Sequence, residues 1–243
     1  MYVANYGNST ITVYAARATG NIAPVRTIAG SGTGLQGSFG VALNPVDDRL
    51  YVTNRKGGSS GIGSVTIYAH RANGNAAPIA TIEGNDTGLD SPADLELDAS
   101  GTIYIPNIKG NSITVYPSGS TGDAVPAATI AGSNTALHQP YQVTLDSSLN
   151  IYAANFSTPQ SLTVYSAGAN GNVVPRQLIG GKNTHLKGPD GIALDSSGNV
   201  YAANYDSKSL TVYGPAADGN VKPSWTIKGR KTGIVCPSGI VIR

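Results

Sequence analysis

Two carboxylates stand two residues apart in the run PADLELD, Asp94 and Glu96. On a β-strand, positions i and i+2 share a face, so the pair would present its acids side by side. Acids on a strand are costly unless they are paired or wetted. With Asp190 they suit an oxygen-rich site for calcium or another divalent cation. They equally suit the paired acids of glycosidic-bond hydrolysis. Neither pattern is specific, and the catalytic residues stay unassigned. The histidines, His70, His138 and His185, show no H-x-x-x-H or Cys/His metal spacing, so no metal ligand set is assigned. There is no G-x-S-x-G and no P-loop. The single cysteine, Cys236, excludes an intrachain disulfide and reads as an inert thiol. The expectation is no cofactor, with a divalent cation as the alternative.

The elements that would position these residues follow from a repeat. The opening YVANYGNSTITVY recurs from Tyr51, Tyr104, Tyr152 and Tyr201, a period of about 50 residues. A second tyrosine recurs at Tyr14, Tyr68, Tyr116, Tyr165 and Tyr213. Each unit then carries a Gly-Asn or Gly-Asp pair, a proline, a TI or LI run ending near a glycine, and a fixed threonine. A run such as GIALD follows. Short β-branched runs between turn residues, with no helical period, give four strands per unit. In order they are A (GIALD), B (VYAANY), C (SLTVY) and D (PSWTIKG). Four strands in a repeat of this length are the signature of a propeller blade, so the sequence predicts an all-β, five-bladed β-propeller in one domain, 1–243. The first unit lacks strand A, and 238–243, SGIVIR, reads as a lone strand A. Either this tail completes the first blade and closes the ring, or the chain is part of a longer array; closure removes unpaired edges and is the expectation.

Internal recurrence separates residues the blade needs from residues left over. Ten of the 13 tyrosines hold the two recurrent positions and read as packing. Tyr6, Tyr141 and Tyr205 do not recur. Asn5, Asn54, Asn107, Asn155 and Asn204 recur and read as loop caps. Around strand A, Phe39, Tyr141 and Asp190 fill a variable position, and Asp94 and Gln142 replace a glycine. Glu96 stands where other units have Ala42, Thr144, Ala193 and Val241. After the recurrent asparagine come Tyr6, Arg55, Ile108, Phe156 and Tyr205, and the second unit has an insertion in RKGGSSGIGS expected to project. Propeller ligands sit where the B–C loops and D–A segments meet. The expected ligand-binding set is therefore Tyr6, Phe39, Asp94, Glu96, Tyr141, Gln142, Phe156, Asp190 and Tyr205, with Arg55, Lys56 and Lys109 nearby. Aromatics with scattered polar groups suit a sugar or small organic ligand. Solvated loop residues are the alternative.

The formal net charge of +2 does not call for a nucleic-acid partner. Lys182, Lys187, Lys228, Arg230 and Lys231 do gather in the last two D–A segments, as a solvated loop or an attractor of anions. No apolar run approaches a membrane span. The low charge and the Gly, Ser, Thr, Asn and Tyr content point to an exported, extracellular or periplasmic bacterial protein, expected as a monomer. No signal peptide is present, which fits a mature or truncated chain or a cytosolic one.

The units YVANYGNSTITVY, YVTNRKGG and GPDGIALDSSGNVYAANY resemble the NHL and YVTN families of β-propeller repeats, in the gluconolactonase-like group. The match from Pro189 to Asn204 is the fullest, and the resemblance extends over all five units. It implies the fold; its motif residues are architectural there, so no catalytic residue is carried over. Related propellers include lactonases and lyases, and NHL rings often have six blades. The function expected is recognition of a small-molecule, glycan or protein ligand by a binding or scaffold propeller. The alternative is a lactonase- or lyase-like enzyme using a divalent cation.

Overall fold

A computed structural model describes residues 1–242. They form two compact units, one from residues 1–105 and 115–127, the other from 106–114 and 128 onward. Five successive antiparallel sheets, one per repeat, and almost no helix make the chain an all-β, five-bladed β-propeller.

The first sheet holds β1 (Tyr2–Asn5), β2 (Thr10–Val13) and β3 (Arg26–Ile28). The second holds β4 (Ser38–Leu43), β5 (Leu50–Asn54), β6 (Ser64–Tyr68) and β7 (Ala80–Ile82). The third holds β8 (Glu96–Leu97), β9 (Ile103–Asn107), β10 (Ser112–Tyr116) and β11 (Ala128–Ala131). The fourth holds β12 (Pro140–Leu145), β13 (Ile151–Asn155), β14 (Ser161–Tyr165) and β15 (Gln177–Gly180). The fifth holds β16 (Pro189–Leu194), β17 (Val200–Asn204), β18 (Ser209–Tyr213) and β19 (Trp225–Lys228). Every pairing is between chain neighbours, so local turns set the register, as in Ala153 opposite Thr163.

The recurrent residues build these sheets and join them, as the second unit shows. Asp195 accepts the N–H groups of Ser197 and Asn199, both at 2.9 Å, fixing the turn between β16 and β17. Asn155, fully buried, accepts the His138 N–H at 3.2 Å and donates to Thr163 Oγ1 at 3.0 Å. Gly171 pairs with Ile130 of the preceding repeat, donating its N–H to Thr129 O at 2.7 Å. Asn172 then accepts the Asn134 N–H at 2.7 Å. The Tyr165 hydroxyl donates to the Thr135 carbonyl, and Thr135 caps its own turn by donating to Gly132 O at 2.8 Å. The fixed glycine, asparagine, threonine and second tyrosine are thus one joint between consecutive repeats. Apolar faces fill the space behind it: Leu162, Val164, Ile179, Ile192, Val200 and Tyr213 form one cluster.

The expected fourth strand of the first sheet is not formed among the described residues. That sheet ends at β1, which is half-buried, whereas β5, β9 and β13 are buried throughout. Residues 238–242 carry no strand, Val241 is 77% exposed, and Arg243 lies outside the described residues. Strands β4, β8, β12 and β16 each pair with the strand that follows them in sequence, a local contact, whereas pairing of this segment with β1 would be one of long range.

Candidate functional site

The strands beginning at β4, β12 and β16 enter their sheets through a register shift, between Ser38 and Val41, Pro140 and Gln142, and Pro189 and Gly191. Such a bulge re-aims the side chains beside it. Phe39, Tyr141, Gln142 and Asp190 lie at these shifts, and each unit carries its own share of the remaining pattern-breaking residues.

In the first unit, Tyr6 and Phe39 meet edge to face with centroids 6.3 Å apart. The Arg55 guanidinium lies over both rings, 4.9 Å from Phe39 and 5.6 Å from Tyr6, and the Lys56 amine is also 5.6 Å from Tyr6. These cations occupy the ring faces that a stacking ligand would use. Asp94 packs against the strand carrying Phe39: a Cβ on Gly40 would lie 2.6 Å from its Cα. Thr53, which the repeat comparison passes over, ties the two segments by accepting the Gly40 N–H at 2.8 Å and donating to Ala93 O. Its signal in the sequence is a threonine where Ala154 and Ala203 stand in later units. Asp94 precedes β8, which begins only at Glu96. Burial, and then the neighbouring Asp94 charge, push the Glu96 carboxyl up to about 7. Glu96 therefore carries an exchangeable proton near neutrality. Among the described residues no group of three or more His, Cys, Asp or Glu gathers to hold a metal ion. The insertion in the second repeat folds back, held by the Ser91 N–H on Ile62 O at 2.8 Å.

In the second unit, Tyr141 and Phe156 lie 4.8 Å apart with ring planes tilted by 31°. Phe156 and Tyr205 lie 6.3 Å apart at 60°. Strand β12 and the loops after β13 and β17 supply these rings. Asp190 is buried and close enough to Tyr205 for its charge to act on the hydroxyl. The Tyr205 hydroxyl is raised first by its hydrogen bond with Cys236 and only then by the acids. Tyr205 is 38% exposed, so its ring is presented to solvent. Gln142 accepts the Ile192 N–H at 2.7 Å, holding β12 to β16. The structure thus brings Tyr141, Phe156, Tyr205 and Asp190 together and gives Gln142 a structural bond as well.

A sequence model described as the SMP-30/Gluconolactonase/LRE-like region matches residues 19–240. No curated protein is significantly similar in sequence. Among solved structures, a putative 6-phosphogluconolactonase from Bacteroides fragilis superposes with a TM-score of 0.69 at 15% identity, over 98% of this chain and 68% of that one. A chain of a nidogen/laminin complex gives 0.58 at 17%, over 86% and 69%. Virginiamycin B lyase from Staphylococcus aureus gives 0.58 at 13%, over 88% and 61%. At these identities the likeness is one of fold. Among the described residues, no helix is long and apolar enough to cross a membrane.

Proposed function

This chain belongs to the SMP-30/gluconolactonase/LRE-like family, and on that premise we propose that it binds a small organic molecule, of sugar type, on the aromatic cluster of its second unit. The observation that carries this reading is the run of three rings, Tyr141, Phe156 and Tyr205, beside the buried carboxylate of Asp190. Ring faces take the apolar face of a sugar, and a buried acid orients its hydroxyls. Tyr6 and Phe39 are the weaker platform, because Arg55 and Lys56 already cover them.

The test is a saccharide and metabolite screen by calorimetry with Tyr141→Ala and Tyr205→Ala. Each should weaken binding by about 1–3 kcal/mol. Tyr205→Ala should leave the melting temperature within a degree or two of the parent. Undiminished binding in both variants refutes the site.

A second reading, lactone hydrolysis, is favoured by one observation, the Glu96 carboxyl near pH 7 beside Asp94. A group with that pKa takes and returns protons at neutral pH. The putative lactonase among the structural neighbours gives the substrate class to try first. Sugar lactones opened by the parent protein and not by Glu96→Gln would establish this reading. Equal rates for the two would remove it.

A further inference from the structure

The second unit also contains a cavity of about 770 Å³ that includes none of the three aromatic residues. Its charged wall is Lys182 and Lys187, from the segment after β15, and Lys228 in β19, with the His185 ring beside them. A smaller cavity of about 380 Å³ shares Ser207 and Lys228 with it and adds Lys208 and Arg230. No aspartate or glutamate lines either one. In a chain with 16 Lys and Arg against 14 Asp and Glu, a wall with one sign of charge is not what composition alone would place there. Asp206, the nearest acid in sequence, lies over Gly188.

The repeat shows that the blade does not need these cations. Lys182 stands where the first three units have Ser31, Asn85 and Ser133. Lys187 stands where they have Gln36, Asp90 and His138, and Lys228 where they have Ala29, Glu83 and Ala131. Asp90 and Glu83 are acids, so the positions of Lys187 and Lys228 each tolerate either sign. Lys182, Lys187 and Lys228 are exposed and form no salt bridge among the described residues. The rest of the wall is of two kinds. Thr158 and Thr226 bring exposed hydroxyls, Ser207 brings one bonded to the buried Ser209 hydroxyl at 2.8 Å, and Pro159 brings apolar surface. The lysine stems add to that surface while their amines stay wet.

We propose that this cavity binds an anionic saccharide, sugar rings carrying carboxylate groups. The amines meet the carboxylates in charge-assisted hydrogen bonds. The hydroxyls of Thr158, Ser207 and Thr226 meet the sugar hydroxyls, and Pro159 lies against a ring face. A bare inorganic polyanion would use the amines and leave the remaining wall idle, which is why the class is a charged sugar. Two adjoining cavities that share Lys228 fit more than one residue of an oligosaccharide.

Calorimetry on the full chain at low salt tests this with trigalacturonate, maltotriose and tripolyphosphate. Trigalacturonate should bind with an affinity that falls as salt is raised, whereas maltotriose, a neutral sugar of the class proposed for the aromatic site, should bind no better at low salt than at high. Tripolyphosphate should bind more weakly than trigalacturonate. Replacing Lys182→Ala and Lys228→Ala together should lower the affinity for trigalacturonate by about a hundredfold, roughly tenfold for each charged contact. Lys109→Ala with Lys222→Ala removes the same charge elsewhere and should leave it within about twofold. The Lys182 and Lys228 replacement should leave the affinity for maltotriose within about twofold, which separates this cavity from the aromatic site. Absence of trigalacturonate binding, a loss of maltotriose affinity in the Lys182 and Lys228 pair equal to that of trigalacturonate, tighter binding of tripolyphosphate, or equal losses in the two lysine pairs would each overturn the proposal.

Discussion

At the scale of single residues, recurrence tells scaffold from surplus, and burial then decides what the surplus can do. The capping asparagines are legible in the sequence because the same bond is needed in each repeat; Asn155 and Asn204 both spend their side chains on backbone and threonine partners. The environment of Glu96 is not legible, because the cost of its charge comes from packing and from Asp94. Its carboxyl lies at about 7 in the fold against 4.5 ordinarily. Between those two values the folded chain keeps a proton that the unfolded chain gives up, so stability falls as pH rises through that window. Glu96 favours the fold fully below the lower value, and the contribution is lost above the higher one. The size is on the order of 2–3 kcal/mol. Glu96→Gln removes the titration. Its urea midpoint should match the parent at pH 4 and exceed it at pH 8. Parallel pH profiles for the two proteins would show that Glu96 is solvated.

At the scale of elements, the turn residues announce the strands, and the joints between repeats explain why those turn residues recur. What the sequence hides is which partner each turn meets. Gly132 has φ of +122°, and a Cβ there would lie 2.5 Å from the Asn172 side chain. Gly229, its repeat equivalent, has φ of +119° and nothing within 4 Å of the same point. Alanine at either position bears the same backbone strain. Only at Gly132 must Asn172 also move, breaking its bond to the Asn134 N–H. Gly132→Ala should therefore destabilise by about 1–3 kcal/mol more than Gly229→Ala. Equal losses in thermal melts would mean that the joint contributes little to stability. The aromatic cluster is half legible on the same grounds. Its tyrosines stand out by not recurring, but Tyr141 is aimed beside a bulge that no spacing reveals.

For the whole molecule, the repeat count and all-β class are legible because each unit repeats the same turn chemistry. How far each sheet is covered is not, because cover comes from residues distant in sequence. Ile28, Ile82, Ile130 and Ile179 occupy one repeat position and are at most 2% exposed, each paired with the glycine of the following repeat's turn. Ile227 holds the same position and is 50% exposed, with Trp225 at 62%. Strand β19 is exposed along its whole length. Unpaired strand edges with apolar side chains seek another strand, and a contiguous apolar patch drives association. A net charge of +2 offers little repulsion to oppose it. The chain as given should therefore associate with rising concentration, seen by light scattering from the micromolar range upward. Placing charge on the patch with Trp225→Lys and Ile227→Lys should suppress that association and leave the melting temperature nearly unchanged, since neither side chain is buried. Lys109→Glu, which alters an exposed charge in another repeat, should not suppress it. A chain that stays monomeric at high concentration would show that β19 is covered in solution. Association that persists in the double lysine variant would place the adhesive surface elsewhere, with Val235 and Val241, exposed at 71% and 77%, as the next residues to charge.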